Sequence, residues 1–104
     1  MSNLMIQLNY TQAIEQADEL VRIAENVKNL SEEELAKILT DIGGCWEGRN
    51  AESYLAKAEV LRANLSRTAD SIRKTADTIR AMATNIYEAE MEAENIAQVR
   101  TYGN

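Results

Sequence analysis

Apolar side chains return every seven residues through the second half of the chain. Ala58, Leu65, Ile72, Ile79, Ile86 and Ala93 form one row, and Leu61, Thr68, Thr75, Met82, Ala89 and Ile96 follow three positions behind. Alternating steps of three and four mark a helix that supercoils with a neighbour, so the pattern predicts one long helix over residues 50–99. Ala69, Ala76, Ala83 and Ala97, four residues after members of the first row, are small and apolar as well, and Glu90 interrupts them. The stripe is wider than a single seam requires. A wide, alanine-flanked stripe predicts contact with two neighbouring helices, as in a four-helix bundle. The opposite face carries Asp70, Arg73, Lys74, Asp77 and Arg80 at helical spacing, a solvated face in which each pair contributes about 0.2–0.5 kcal/mol.

The first half is less regular. Asn9 with Gln12 can cap a helix whose apolar positions are Tyr10, Ala13, Ile14, Ala17, Leu20, Val21, Ala24 and Val27. Ser31-Glu32-Glu33-Glu34 then has the form of a capping box, with Leu30 and Leu35 spaced to close a hydrophobic staple across it. Leu35, Ile38, Leu39 and Ile42 continue the apolar face, but Val27, Ser31 and Leu35 are separated by two steps of four, which displaces the stripe by one position. This spacing predicts a break or kink near residues 29–31; the alternative is one continuous helix with Ser31 turned outward. Gly43, Gly44 and Gly48 cluster at the centre of a chain without proline, and they divide it into arm one (about 9–42), a turn (about 43–50) and arm two (about 50–99).

Two arms of roughly 50 and 75 Å, at 1.5 Å per residue, folded back on each other make an antiparallel hairpin with one dry face inside and another left over. Exposing that second face forfeits about 25 cal/mol per Å² of apolar surface, so the pattern predicts a dimer of hairpins. Tyr54, Leu61, Leu65, Ile72, Ile79, Met82 and Ile86 are the expected packing positions of hairpin and dimer. With 104 residues the chain is a single helical-hairpin domain over 1–104, of the all-α class.

Composition narrows the chemistry. The chain has no histidine and one cysteine, which removes the commonest general base and metal ligand and leaves too few thiols for a zinc cage. No cofactor is expected, and an enzyme is disfavoured: a di-iron bundle needs inward Glu-x-x-His pairs. A formal charge of −6 and a pI near 4.6 oppose nucleic-acid binding, which needs a concentrated basic face. The opening residues lack the basic lead and apolar run of a signal peptide, and no stretch is apolar enough to insert in a membrane.

Between the arms stands Gly43-Gly44-Cys45-Trp46-Glu47-Gly48-Arg49-Asn50, with the only tryptophan at the turn. The indole is large enough to plug the open end of a hairpin, Gly48 can adopt φ > 0 to reverse the chain, and Gly48 or Asn50 can cap the second helix. Cys45 reads as a small buried hydrophobe. A hairpin of this size with Trp46-Glu47-Gly48 at its turn, Tyr54 eight residues after the tryptophan, Leu35, Leu39 and Ile42 before it and heptads after it resembles the WXG family. These are early-secreted-antigen-like substrates of bacterial type VII secretion. The resemblance covers most of the chain.

It implies a hairpin that pairs with itself or with a related WXG-type chain into a four-helix bundle. The bundle leaves the bacterial cytoplasm folded, through a machine driven by the type VII membrane ATPase, with no cleaved signal peptide. It also implies a composite export signal, Trp46 and Gly48 of one subunit beside a Tyr-x-x-x-Asp/Glu motif near the end of its partner's long helix. Here the chain departs from the family: Met91, not an acid, lies four residues after Tyr87, and Glu90 and Glu92 flank it. Glu88, Glu90, Glu92 and Glu94 oppose the macrodipole near a helix C-terminus, either as a docking strip with Tyr87 for a basic groove or as a solvated, frayed end. The leading function is that of a secreted, non-enzymatic substrate, co-substrate or chaperone-like partner; the alternative is a cytosolic coiled-coil scaffold or adaptor.

Overall fold

The computed structural model describes residues 2–45 and 48–102. Helix α1 runs over Asn3–Asn29, one π-helical turn over Leu30–Leu35, α2 over Ala36–Cys45 and α3 over Arg49–Tyr102. Among the described residues only Ser2 and Gly48 lie outside helix. The chain is all-α, with two long helices, as the heptad pattern predicts. Its residues group into two units, 1–20 with 74–104 and 21–73. Each is an antiparallel pairing of helical segments. In the first unit Tyr10 meets Tyr87 and Asp18 meets Arg80; in the second Lys28 meets Asp70 and Ser31 meets Arg62.

Helix α1 begins at Asn3, not at Asn9. Ser2 is the cap: its Oγ accepts from the Met5 amide at 3.2 Å and its carbonyl from the Ile6 amide at 3.0 Å. Nothing between residues 3 and 9 opposes helix, and extending the helix buries Ile6 to 1% exposure. Asn9 therefore sits in the helix interior. At the other end the helices reach further into the turn than expected, with α2 closing at Cys45 and α3 opening at Arg49.

The α-helical pattern changes within the interval 29–31 where a break or kink is expected, but through a π-helical turn that starts at Leu30, and Ser31 is not turned outward. Ser31 is fully buried, and its Oγ donates to the Arg62 carbonyl oxygen at 2.8 Å, so it caps nothing. Leu30, 46% exposed, staples nothing. Ala17, Ala24 and Ser31 form a buried row at seven-residue intervals; a regular α-helix would next bring Glu34 and Ile38 to the seam. Instead Leu35, Leu39 and Ile42 are half-buried, while Glu34 and Ile38 are exposed. One extra residue has been absorbed by widening a single turn to the i→i+5 pattern, with αR backbone on both flanks at Asn29 and Ala36. Ser31→Ala is expected to lower the unfolding free energy by about 1 kcal/mol, read from urea melts by circular dichroism; an unchanged midpoint would mean that the hydroxyl does not secure this turn.

Helix α3 assigns its apolar rows differently from the expected a/d seam. Ala69, Ala76 and Ala83 are the buried positions, at 2%, 0% and 8% exposure, with Leu65, Ile72 and Ile79 half-buried beside them. Leu61, Met82 and Ile86, expected in the packing, are 51%, 57% and 53% exposed. Within the chain the seam is thus made by the alanines with Ala58, Leu65, Ile72 and Ile79 of the first row, while Ile86 and the trailing-row residues Leu61, Met82 and Ile96 lie uncovered. Alanine at Ala17 and Ala24 on α1 and at Ala69, Ala76 and Ala83 on α3 lets the helix backbones approach more closely than leucine or methionine would.

Candidate functional site

Three surfaces contain the residues on which function was expected to rest. The first lies where α2 ends and α3 begins. Gly48 has φ of 95°, the left-handed conformation that an L side chain resists, and its carbonyl accepts the Glu52 amide at 3.3 Å, opening α3. Trp46 and Glu47 lie outside the described residues, as does the side chain of Cys45. Nearby, Leu35, Ile38, Leu39 and Ile42 face Tyr54, Ala58 and Leu61 across an open apolar groove of about 280 Å³, which Lys57 also lines. Tyr54 is half exposed.

The second surface is the end formed by the start of α1 and the last turns of α3. Tyr87 is half-buried, its ring centroid 4.8 Å from that of Tyr10 at an interplanar angle of 40°. Both rings line a cleft of about 180 Å³, together with Ile6, Ala13, Ile86 and Glu90. The acidic run does not form one strip. At 100° per residue a run of period two lands on two faces: Glu88 and Glu92 are exposed, whereas Glu90 and Glu94 are half-buried. Tyr87 and Glu90 come together; Glu88 and Glu92 stand apart from them. The Tyr10–Tyr87 pair was not among the expected site residues, and its signal in the sequence was Tyr10 on the same helical stripe as Ala13 and Ala17.

The third comprises the exposed apolar side chains of the trailing row of α3: Leu61 in the second unit, and Met82 and Ile96, with Ile86 beside them, in the first; Thr68, Thr75 and Ala89 occupy the row's other positions. Polar side chains brace the helices that carry them. Arg80 donates to Asp18 across the first unit at 2.5 Å and to Asp77 on its own helix at 3.5 Å. Arg62 binds Glu59 through Nε at 3.0 Å and holds the Glu59 carboxyl below its ordinary range, chiefly by that hydrogen bond. Its contribution is present above the ordinary carboxylate pKa and fades as pH falls through the depressed value.

Among the described residues no group of three or more His, Cys, Asp or Glu is placed to hold a metal ion, and no helix is long and apolar enough to cross a membrane. No family model, curated protein or solved structure matches the chain.

Proposed function

We propose that this chain is a non-enzymatic interaction protein of the type VII, early-secreted-antigen-like kind. Two copies, or one copy and a related chain, pair into a four-helix bundle that a membrane ATPase exports folded, as substrate or as co-substrate and chaperone-like partner. The observation that carries the reading is the uncovered row of Leu61, Met82 and Ile96 with Ile86 beside a seam built mostly of alanine. Such a seam buries little apolar surface per residue, and a second hairpin laid on the exposed row supplies the rest.

Charge supports an antiparallel pairing. Up to residue 80, α3 carries Arg49, Lys57, Arg62, Arg67, Arg73, Lys74 and Arg80 against Glu52, Glu59, Asp70 and Asp77. Beyond it, Glu88, Glu90, Glu92 and Glu94 stand against Arg100 alone. Antiparallel long helices set basic halves against acidic ones, whereas parallel helices set like against like. The positive φ of Gly48, immediately after Trp46-Glu47, supports reading that tripeptide as the turn of the hairpin.

The test is export of a C-terminally tagged and of an internally tagged copy, blotted in cells and medium with and without the ATPase and with a lysis control. The expected result is protein in the medium only when the ATPase is present. Retention of both tagged forms in both strains would move the protein to the cytosolic scaffold reading.

A further inference from the structure

We propose that the cleft between Tyr10, Tyr87 and Glu90 receives an arginine side chain presented by a protein partner. The inference stands apart from the export reading, since it concerns what this end of the fold can bind wherever the protein resides. Size comes first. Pockets for small-molecule ligands enclose about 300–1,000 Å³; this one, at about 180 Å³, has room for one side chain.

Its chemistry selects the side chain. Two tyrosine rings supply π faces, and Glu90 supplies a carboxylate one helical turn beyond Tyr87. A planar guanidinium stacks on such rings and pairs with a carboxylate through two N–H groups, which a compact ammonium cannot do.

The register of Glu90 places its carboxylate at the cleft. Glu90 continues the row of Ala69, Ala76 and Ala83, where another alanine would close the seam. Among the described residues no hydrogen bond or ion pair reaches its carboxylate, which leaves it open to pair with an incoming cation. None is at hand among the described residues. Residues 2–14 of the facing segment contain no acid and no base, and residues 81–99 contain acids only. Arg80 is engaged by Asp18 and Asp77, and Arg100 lies ten residues further on, about 15 Å along the helix. Exposed Leu8 and Ile86, at 47% and 53%, offer apolar footing at this end for residues flanking the incoming arginine.

The probe is a capped tripeptide with arginine between two leucines, titrated into the full chain and followed by NMR of the tyrosine rings and backbone amides. Saturable shifts centred on Tyr10, Tyr87 and Glu90 are expected. Glu90→Gln, which keeps the shape, should weaken binding about tenfold or more, Tyr87→Leu similarly, and Glu88→Gln, which removes the same charge from the other face, hardly at all. The lysine tripeptide and spermidine should bind more weakly. Equal loss in Glu88→Gln and Glu90→Gln would reduce the effect to diffuse charge and overturn the proposal. So would spermidine binding as tightly as the tripeptide, or the absence of saturable shifts.

Discussion

Enlarging Ala76 to leucine is expected to lower the unfolding free energy by about 1–3 kcal/mol, each kcal/mol being worth about 4–8 °C in Tm for a domain of this size. Ala76 has no exposed surface, and the helices meet at a spacing that alanine sets, so extra methylenes must push the backbones apart. Against a total stability of about 5–15 kcal/mol this is a large fraction. The loss should not depend on protein concentration, because the contact lies within one chain. Met82→Lys should behave in the opposite manner. At 57% exposure Met82 leaves the isolated chain's packing almost untouched, but lysine there places a charge in the proposed interface. Sedimentation should then shift from dimer to monomer. A silent Ala76→Leu with a strongly destabilising, concentration-independent Met82→Lys would reverse the assignment of the two rows.

Deleting Glu33 should leave a folded, more regular protein. Without it, Leu35, Leu39 and Ile42 fall three, seven and ten residues after Ser31, in step with Ala17, Leu20, Ala24 and Val27, and the π turn has no residue left to absorb. Thermal melts by circular dichroism should show a cooperative transition at an unchanged or higher Tm. Deleting Arg73, exposed in the middle of α3, is the contrast. It rotates every later seam residue by about 100°, carries Ala76, Ile79 and Ala83 away from the seam, and should cost several kcal/mol, enough to erase cooperative unfolding. Were the Glu33 deletion to unfold the chain as the Arg73 deletion is expected to, the π turn would not be a one-residue insertion.

Much of this fold is legible in the sequence because helical period is a local property. The rows from Ala58 to Ile96 predict α3, and the doubled step of four at Val27, Ser31 and Leu35 marks the place where the ladder changes, whereas Gly43 and Gly44, expected in a turn, continue α2. What a period does not convey is which of two adjacent apolar rows faces the neighbouring segment. That choice depends on the opposing surface, and alanines at 17 and 24 favour the alanine row of α3 over the bulkier Leu61 and Met82. Ser31 shows tertiary context overriding a local signature. Ser-x-x-Glu has the form of a cap, but a carbonyl 31 residues away claims the hydroxyl. Of the expected site, Tyr87 and Glu90 share one cleft, Glu88 and Glu92 fall on another face, Gly48 has the conformation expected of it, and Trp46 lies outside the described residues.

The bond from Ser31 to the Arg62 carbonyl joins two uncharged groups. Ion pairs such as Arg80 with Asp18, half exposed, weaken as ionic strength rises and as carboxylates take up protons. A hydroxyl bound to a main-chain carbonyl does neither, and with no histidine in the chain few groups change charge between neutrality and mild acid. Helical alignment at the π turn is therefore supported by a contact that neither salt nor mild acid removes. Carried from a dilute compartment into brine or mild acid, the protein would retain this tie between its arms even as the charged contacts around it weaken.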